Sequence, residues 1–216
     1  CTPKTNPLSP ATKVKKPEPP PWVKLAYPEM DADYTIRMYK PGKPGTESEP
    51  LFRSNEGPQT WSLVCPFEEV VIGGRRGGGK SVTLIAQFAM GDRFLPSDDP
   101  ARVSFLNDPA FRGLLLRDEY SSMAEFVEQA IEFFKPFGCK ATGGGSKPVV
   151  LDFETKAKIY FNHLGDEEAF NKYKGWNITK IGIEELTQIA TLRRYLKLLG
   201  SLRSVDRIRG KKRFPP

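Results

Sequence analysis

Glu69-Val70-Val71-Ile72-Gly73 runs straight into Gly74-Arg75-Arg76-Gly77-Gly78-Gly79-Lys80-Ser81, and the reading of this stretch decides the fold. The first five residues are a β-branched run closed by glycine, which predicts a strand. The next eight satisfy the spacing G-x-x-x-x-G-K-[ST] in full. From Ser81 to Phe94, the apolar residues Val82, Ile85, Ala86, Ala89 and Met90 recur at helical spacing and predict a helix packed by one face. Strand, glycine loop and helix in that order make a cradle for phosphate. Glycines let the backbone fold into a nest of N–H groups, along a path that side chains would obstruct. The helix that follows turns its positive end toward the same anion. Gly74, Arg75, Arg76, Gly77, Gly78, Gly79, Lys80 and Ser81 are thus the expected nucleotide-binding set. Lys80 reaches the outer phosphates and the Ser81 hydroxyl completes a magnesium shell.

Downstream, Gly113 to Arg117 predicts a second buried strand, and Met123 to Phe134 a helix with apolar Met123, Phe126, Val127, Ala130, Ile131 and Phe134. Cys139 to Pro148, with its Gly143-Gly144-Gly145 run, reads as a flexible connection. Val149–Phe153 and Lys156–Asn162 alternate in strand fashion around Glu154-Thr155, as a hairpin does. Asn177–Ile183 is a further strand, and Leu192–Leu202 a basic amphipathic helix. Strands alternating with helices predict an α/β fold: a mainly parallel sheet with helices on both faces.

Residues 1–48 hold ten prolines, from Pro3 to Pro44. Proline fixes φ and lacks the backbone donor, so this stretch predicts an extended arm or linker, with the globular domain over residues 49–216. No apolar run approaches the roughly 20 residues that span a bilayer, and Cys1-Thr2-Pro3-Lys4 does not open a signal peptide. Cys1, Cys65 and Cys139 have neither disulfide-framework nor zinc-site spacing, and the single His163 excludes a multi-histidine metal centre.

The net charge of +7 is concentrated at the end of the chain. From Thr191 onward nine basic residues, Arg193, Arg194, Lys197 and Arg203 among them, face Asp206 alone. That imbalance suits a polyanion such as DNA, or another subunit.

Hydrolysis needs a carboxylate near the metal and a group that orients water. Lys180-Ile181-Gly182-Ile183-Glu184-Glu185 supplies two acids at the end of an apolar strand. Glu184 is the metal candidate, directly or through water, and Glu185 the candidate that polarises water. Asp118, Glu119, Glu167 and Glu168 sit among polar residues and read as solvated.

From Pro58 to Ile208 the chain resembles the N-terminal ATPase domain of viral, tailed-phage-type large terminase subunits. Val71 to Ser81 is similar to that family's P-loop. Tyr173-Lys174-Gly175-Trp176-Asn177-Ile178-Thr179-Lys180-Ile181-Gly182-Ile183-Glu184-Glu185-Leu186-Thr187-Gln188 is similar to the segment carrying its Walker B acids, with Glu184 where aspartate is commoner. The resemblance implies a P-loop NTPase fold of the ASCE type and Arg76 as a γ-phosphate sensor. It implies that Gln59 contacts adenine, and that Arg117, or in competition Arg112, is an arginine acting on a neighbouring subunit's ATP. It further implies ATP and Mg²⁺ as cofactors, and a homo-oligomeric ring, expected to be a pentamer. The partners would be double-stranded DNA, the portal of a procapsid and the small terminase subunit, in the host-cell cytoplasm during virus assembly. The family's coupling segment and acidic nuclease domain are not found, so a fragment is expected. Three rivals stay open: a helicase or other ring ATPase, a small-molecule kinase, and a nucleotide-gated scaffold without turnover.

Overall fold

The computed structural model describes residues 36–38, 50–65, 69–73, 77, 79–91, 104–119, 121–145, 147–165, 173, 176–188 and 192–202. Within them run β1 (Arg37–Met38), β2 (Phe52–Arg53), α1 (Pro58–Leu63), α2 (Lys80–Ala89), β3 (Arg112–Arg117) and α3 (Met123–Phe134). There follow β4 (Lys140–Gly144), β5 (Lys147–Asp152), β6 (Lys158–His163), β7 (Lys180–Ile183) and α4 (Leu192–Leu199). The chain is α/β, with a five-stranded sheet in the order β4-β5-β6-β3-β7 flanked by helices.

β3 organises the packing because its apolar run does not alternate, the pattern of a strand covered on both faces. Leu114, Leu115 and Leu116 are all fully buried. Leu115 packs with Ile85 of α2, Phe126 of α3 and Phe161 of β6. Its neighbours Leu114 and Leu116 turn to the opposite face, against Tyr173, Ile178 and Leu198 of α4.

The expected mainly parallel sheet is in fact mixed. β3 runs parallel to β6 and to β7, but β5 pairs antiparallel with both β4 and β6. The difference comes from β4, which lies where a flexible connection was expected. Gly143, Gly144 and Gly145 all have positive φ: Gly143 sits at the irregularity in register between Thr142 and Gly144, Gly144 still pairs with Lys147, and Gly145 follows as the chain turns back. A Cβ at Gly143 would stand 2.1 Å from the Pro148 carbonyl oxygen. The second hairpin follows expectation, with Val149 opposite Phe161 and Asp152 opposite Lys158.

Four other elements differ from their sequence expectation. Glu69–Gly73 is not paired into the sheet, and Val71 is 77% exposed. β-branched residues make a strand only when a partner edge and a burying face are supplied. Among the described residues this segment has neither. α2 starts one residue early and ends at Ala89, where Met90 turns extended while its N–H still caps Ala86 O. α3 matches its predicted bounds, β7 is shorter than Asn177–Ile183, and α4 ends at Leu199 rather than Leu202.

Most of the proline-rich stretch lies outside the described residues. Ile36–Met38 is the exception: β1 pairs antiparallel with β2, and the Ile36 N–H donates to Ser54 Oγ at 2.8 Å. Among the described residues no helix is long and apolar enough to cross a membrane.

The approach of α2 to the sheet sets the geometry of everything at its N-terminus. Phe88, fully buried, lies over Gly113 and Gly182, where an added Cβ would come within 2.6 Å and 2.9 Å of its ring. Small residues at both strand positions let the helix sit close. Burying such a phenylalanine contributes about 2–3 kcal/mol.

Candidate functional site

β3, β6 and β7 run parallel, so their C-terminal ends share one edge of the sheet, the edge where open α/β sheets bind ligands. Arg117 ends β3 and His163 ends β6, paired in register, and Glu184 follows β7. The N-terminus of α2 arrives at the same edge.

Alternation along β7 explains which acid turns inward. Gly182 faces Leu84 and Phe88 of α2, so Glu184, two residues on, faces the same helix. Glu184 is 8% exposed, and its N–H donates to Leu116 O at 2.9 Å. Its Oε1 accepts a short hydrogen bond from Ser81 Oγ, and its Oε2 a short one from Arg117 Nε. Arg117 also donates through an Nη to Ser122 O, and its guanidinium lies 5.3 Å from the Phe126 ring centroid. Ser81, Glu184 and Arg117 are thereby brought together. Arg112 is not among them. It sits at the opposite end of β3, donating to the carbonyls of Pro109, Phe111 and Lys156.

The loop itself is described at Gly77 and Gly79, both at positive φ. Gly79 precedes α2 in the left-handed region, and a Cβ there would stand 2.9 Å from Gln59 Nε2. Gln59 is buried beneath this turn. Its Nε2 donates to Gly79 O at 3.2 Å and to Thr83 Oγ1 at 2.6 Å, while its Oε1 accepts from the Asn55 N–H at 2.5 Å. Gln59 braces the end of the loop against α1. Lys80 is half-buried at the first position of α2. Gly74, Arg75, Arg76 and Gly78 lie outside the described residues, as does Arg203.

No family model, curated protein or solved structure significantly matches this chain. What the site can do is carried by its own residues.

Glu185 is exposed, with a left-handed φ of 55° that glutamate seldom adopts. Its carbonyl accepts the Gln188 N–H at 2.8 Å, opening a one-turn 3-10 helix over Leu186–Gln188. Such backbone strain gathers at functional sites. Asp118, expected to be solvated, instead has its Oδ1 buried, and among the described residues neither this oxygen nor the buried Nδ2 of Asn162, near the end of β6, has a hydrogen-bond partner.

The donor set fits a small divalent cation shared with a ligand. A hydroxyl and a buried carboxylate oxygen in contact are hard oxygen donors, the kind magnesium takes alongside water and phosphate. Among the described residues no cluster of three His, Cys, Asp or Glu side chains offers an all-protein cage.

The basic helix divides by role. Arg193 is exposed, while an Arg194 Nη donates to the carbonyls of Leu164 at 3.0 Å and Gly165 at 3.2 Å, capping the exit from β6. Lys197 is half-buried. Tyr195 OH makes a short hydrogen bond to Glu69 Oε1, tying α4 to the segment that enters the loop. Sequence reasoning missed the Arg117–Glu184 pair, the bracing by Gln59 and the carbonyl cap by Arg194. The apolar-strand-then-acid pattern had signalled Glu184 and Glu185, but not the partners that hold Glu184.

Proposed function

We propose that this chain binds ATP with magnesium and hydrolyses it, as the motor domain that drives double-stranded DNA into a viral procapsid. One observation carries the catalytic half: the Ser81 hydroxyl and the Glu184 carboxylate meet although they stand 103 positions apart in the sequence. A loop-helix hydroxyl touching a strand-end carboxylate is the pairing that nucleotide hydrolysis on a glycine-loop scaffold requires.

In this reading the backbone N–H groups around Gly77 and Gly79 and the N-terminus of α2 hold the phosphates. Lys80 and Arg76 stabilise charge on the transferred group, and an arginine from a neighbouring subunit adds to them. Ser81 and Glu184 hold the magnesium, which when bound neutralises charge at the phosphate oxygens. Glu185, exposed beside them, orients water for in-line attack. The nucleobase lies toward Gln59, by the depression lined by Arg53, Ser54, Asn55 and Glu56.

The packaging half is supported by the resemblance of Val71–Ser81 and Tyr173–Gln188 to large terminase subunits. With it come the ASCE-type P-loop fold, the homo-oligomeric ring, and the portal, small subunit and DNA as partners. DNA contact runs through phosphates at basic residues such as Arg193, and is independent of sequence.

The test is phosphate release from ATP by the full chain, with and without duplex DNA. Turnover that depends on Mg²⁺ and rises with DNA is expected, and Lys80→Ala should abolish it. If Lys80→Ala turns over ATP as fast as the parent, the reading fails.

A further inference from the structure

We propose that Arg117 acts within its own chain, as the positioning residue of Glu184, and not on a neighbouring subunit. This rests on the nucleotide-binding reading above and specifies how its carboxylate is held.

A carboxylate on a flexible glutamate side chain has two oxygens to share out, and here each has a fixed partner. Oε2 takes the Arg117 Nε–H, and Oε1 takes the Ser81 hydroxyl. Arg117 is itself fixed from three sides: by Glu184, by the Ser122 carbonyl and by the Phe126 ring. The side chains of Arg117 and Glu184 are only 15% and 9% exposed. An arginine that reached across an interface would have to leave all three contacts and abandon a buried carboxylate without a counter-charge. The same contacts suit a different task. With Oε2 engaged, the carboxyl plane cannot rotate freely, and Oε1 is kept facing Ser81 Oγ. Partners that orient a ligating carboxylate set how well it binds a cation.

The experiment titrates Mg²⁺ against binding of a fluorescent ATP analogue to the full chain, its Arg117→Ala and Arg117→Lys variants, and Lys80→Ala. Without Mg²⁺, Arg117→Ala should bind the analogue within about twofold of the parent. Its half-saturating Mg²⁺ concentration should rise about 10-fold or more, the usual loss when an orienting partner of a metal ligand is removed. Lysine keeps the charge but not the planar fork, so Arg117→Lys should fall between them. If Arg117→Ala does not fold by circular dichroism, Arg117→Lys decides alone. An Mg²⁺ midpoint equal to the parent's in a folded variant overturns the proposal. So does recovery of ATP turnover on mixing Arg117→Ala with Lys80→Ala subunits, since that marks an arginine acting in trans. A parent that binds no analogue, or a Lys80→Ala variant that binds like the parent, overturns the nucleotide reading itself. Unchanged Arg117 variants beside a Mg²⁺-responsive parent overturn this inference alone.

Discussion

Glu184 receives Ser81 Oγ on one carboxylate oxygen and Arg117 Nε on the other, joining the start of α2 to the ends of β7 and β3. Removing one partner of a buried ion pair strands the other charge, which costs about 3 kcal/mol or more. Glu184→Ala should lower stability by that amount. Glu184→Gln should cost less, because the amide oxygen still accepts from Arg117. Urea unfolding midpoints check this, and equal midpoints for Glu184→Ala and the parent would show that the pair is not structural.

How much of this was legible in the sequence follows from where each signal lives. Leu114-Leu115-Leu116 and the Met123–Phe134 periodicity carry their own evidence of burial, so β3 and α3 were readable locally. β4 was not. Its Lys140–Gly144 residues are mostly exposed at a sheet edge, and pairing with β5 is what makes them a strand. The opposite error fell on Glu69–Gly73, where strong β-propensity lacks a partner. Near the site, the helix that follows Gly79 and the acid that follows β7 were readable from residue type and spacing. The roles of Arg117 and Arg194 were not, because their partners lie 67 and about 30 positions away and are fixed by packing rather than by local pattern.

Glu185 pairs an exposed carboxylate with a left-handed φ of 55°. A side chain in that region costs roughly 1–2 kcal/mol, which glycine would avoid. Glu185→Gly should leave the fold as stable as the parent or more so. If Glu185 orients the attacking water, Glu185→Gln should keep ATP-analogue affinity within about twofold and lower turnover about 100-fold or more. Paired measurements of binding and phosphate release decide it. Turnover that survives in Glu185→Gln removes this residue from the mechanism.

Arg193 and Arg194 are neighbours in sequence with different surroundings, so their substitution should separate DNA binding from folding. Arg193 is exposed, whereas Arg194 caps the carbonyls of Leu164 and Gly165. If α4 faces DNA, Arg193→Ala should weaken duplex binding and reduce the slope of log K against log salt by about 0.9, the effect of one lost phosphate contact. Arg194→Ala should instead lower the unfolding free energy by about 1 kcal/mol, the scale of a lost hydrogen bond. A salt slope that neither variant changes would take α4 away from the nucleic acid.

Tyr195 offers a pH test of the link between α4 and the segment entering the glycine loop. Its burial, and then its hydrogen bond to Glu69 and that residue's charge, push its pKa up from 10.0 to about 12. The folded state thus holds the phenolic proton more tightly than the unfolded chain does. This contribution to stability is complete below pH about 10 and is lost as pH rises toward about 12. Lysines and other tyrosines titrate in the same window, so the informative quantity is the difference between the parent and Tyr195→Phe. Phenylalanine keeps the ring and removes the proton, so its unfolding midpoint should start lower and fall less steeply through the window. Parallel curves for the two proteins would mean that the Tyr195–Glu69 bond contributes nothing to holding α4 against the loop.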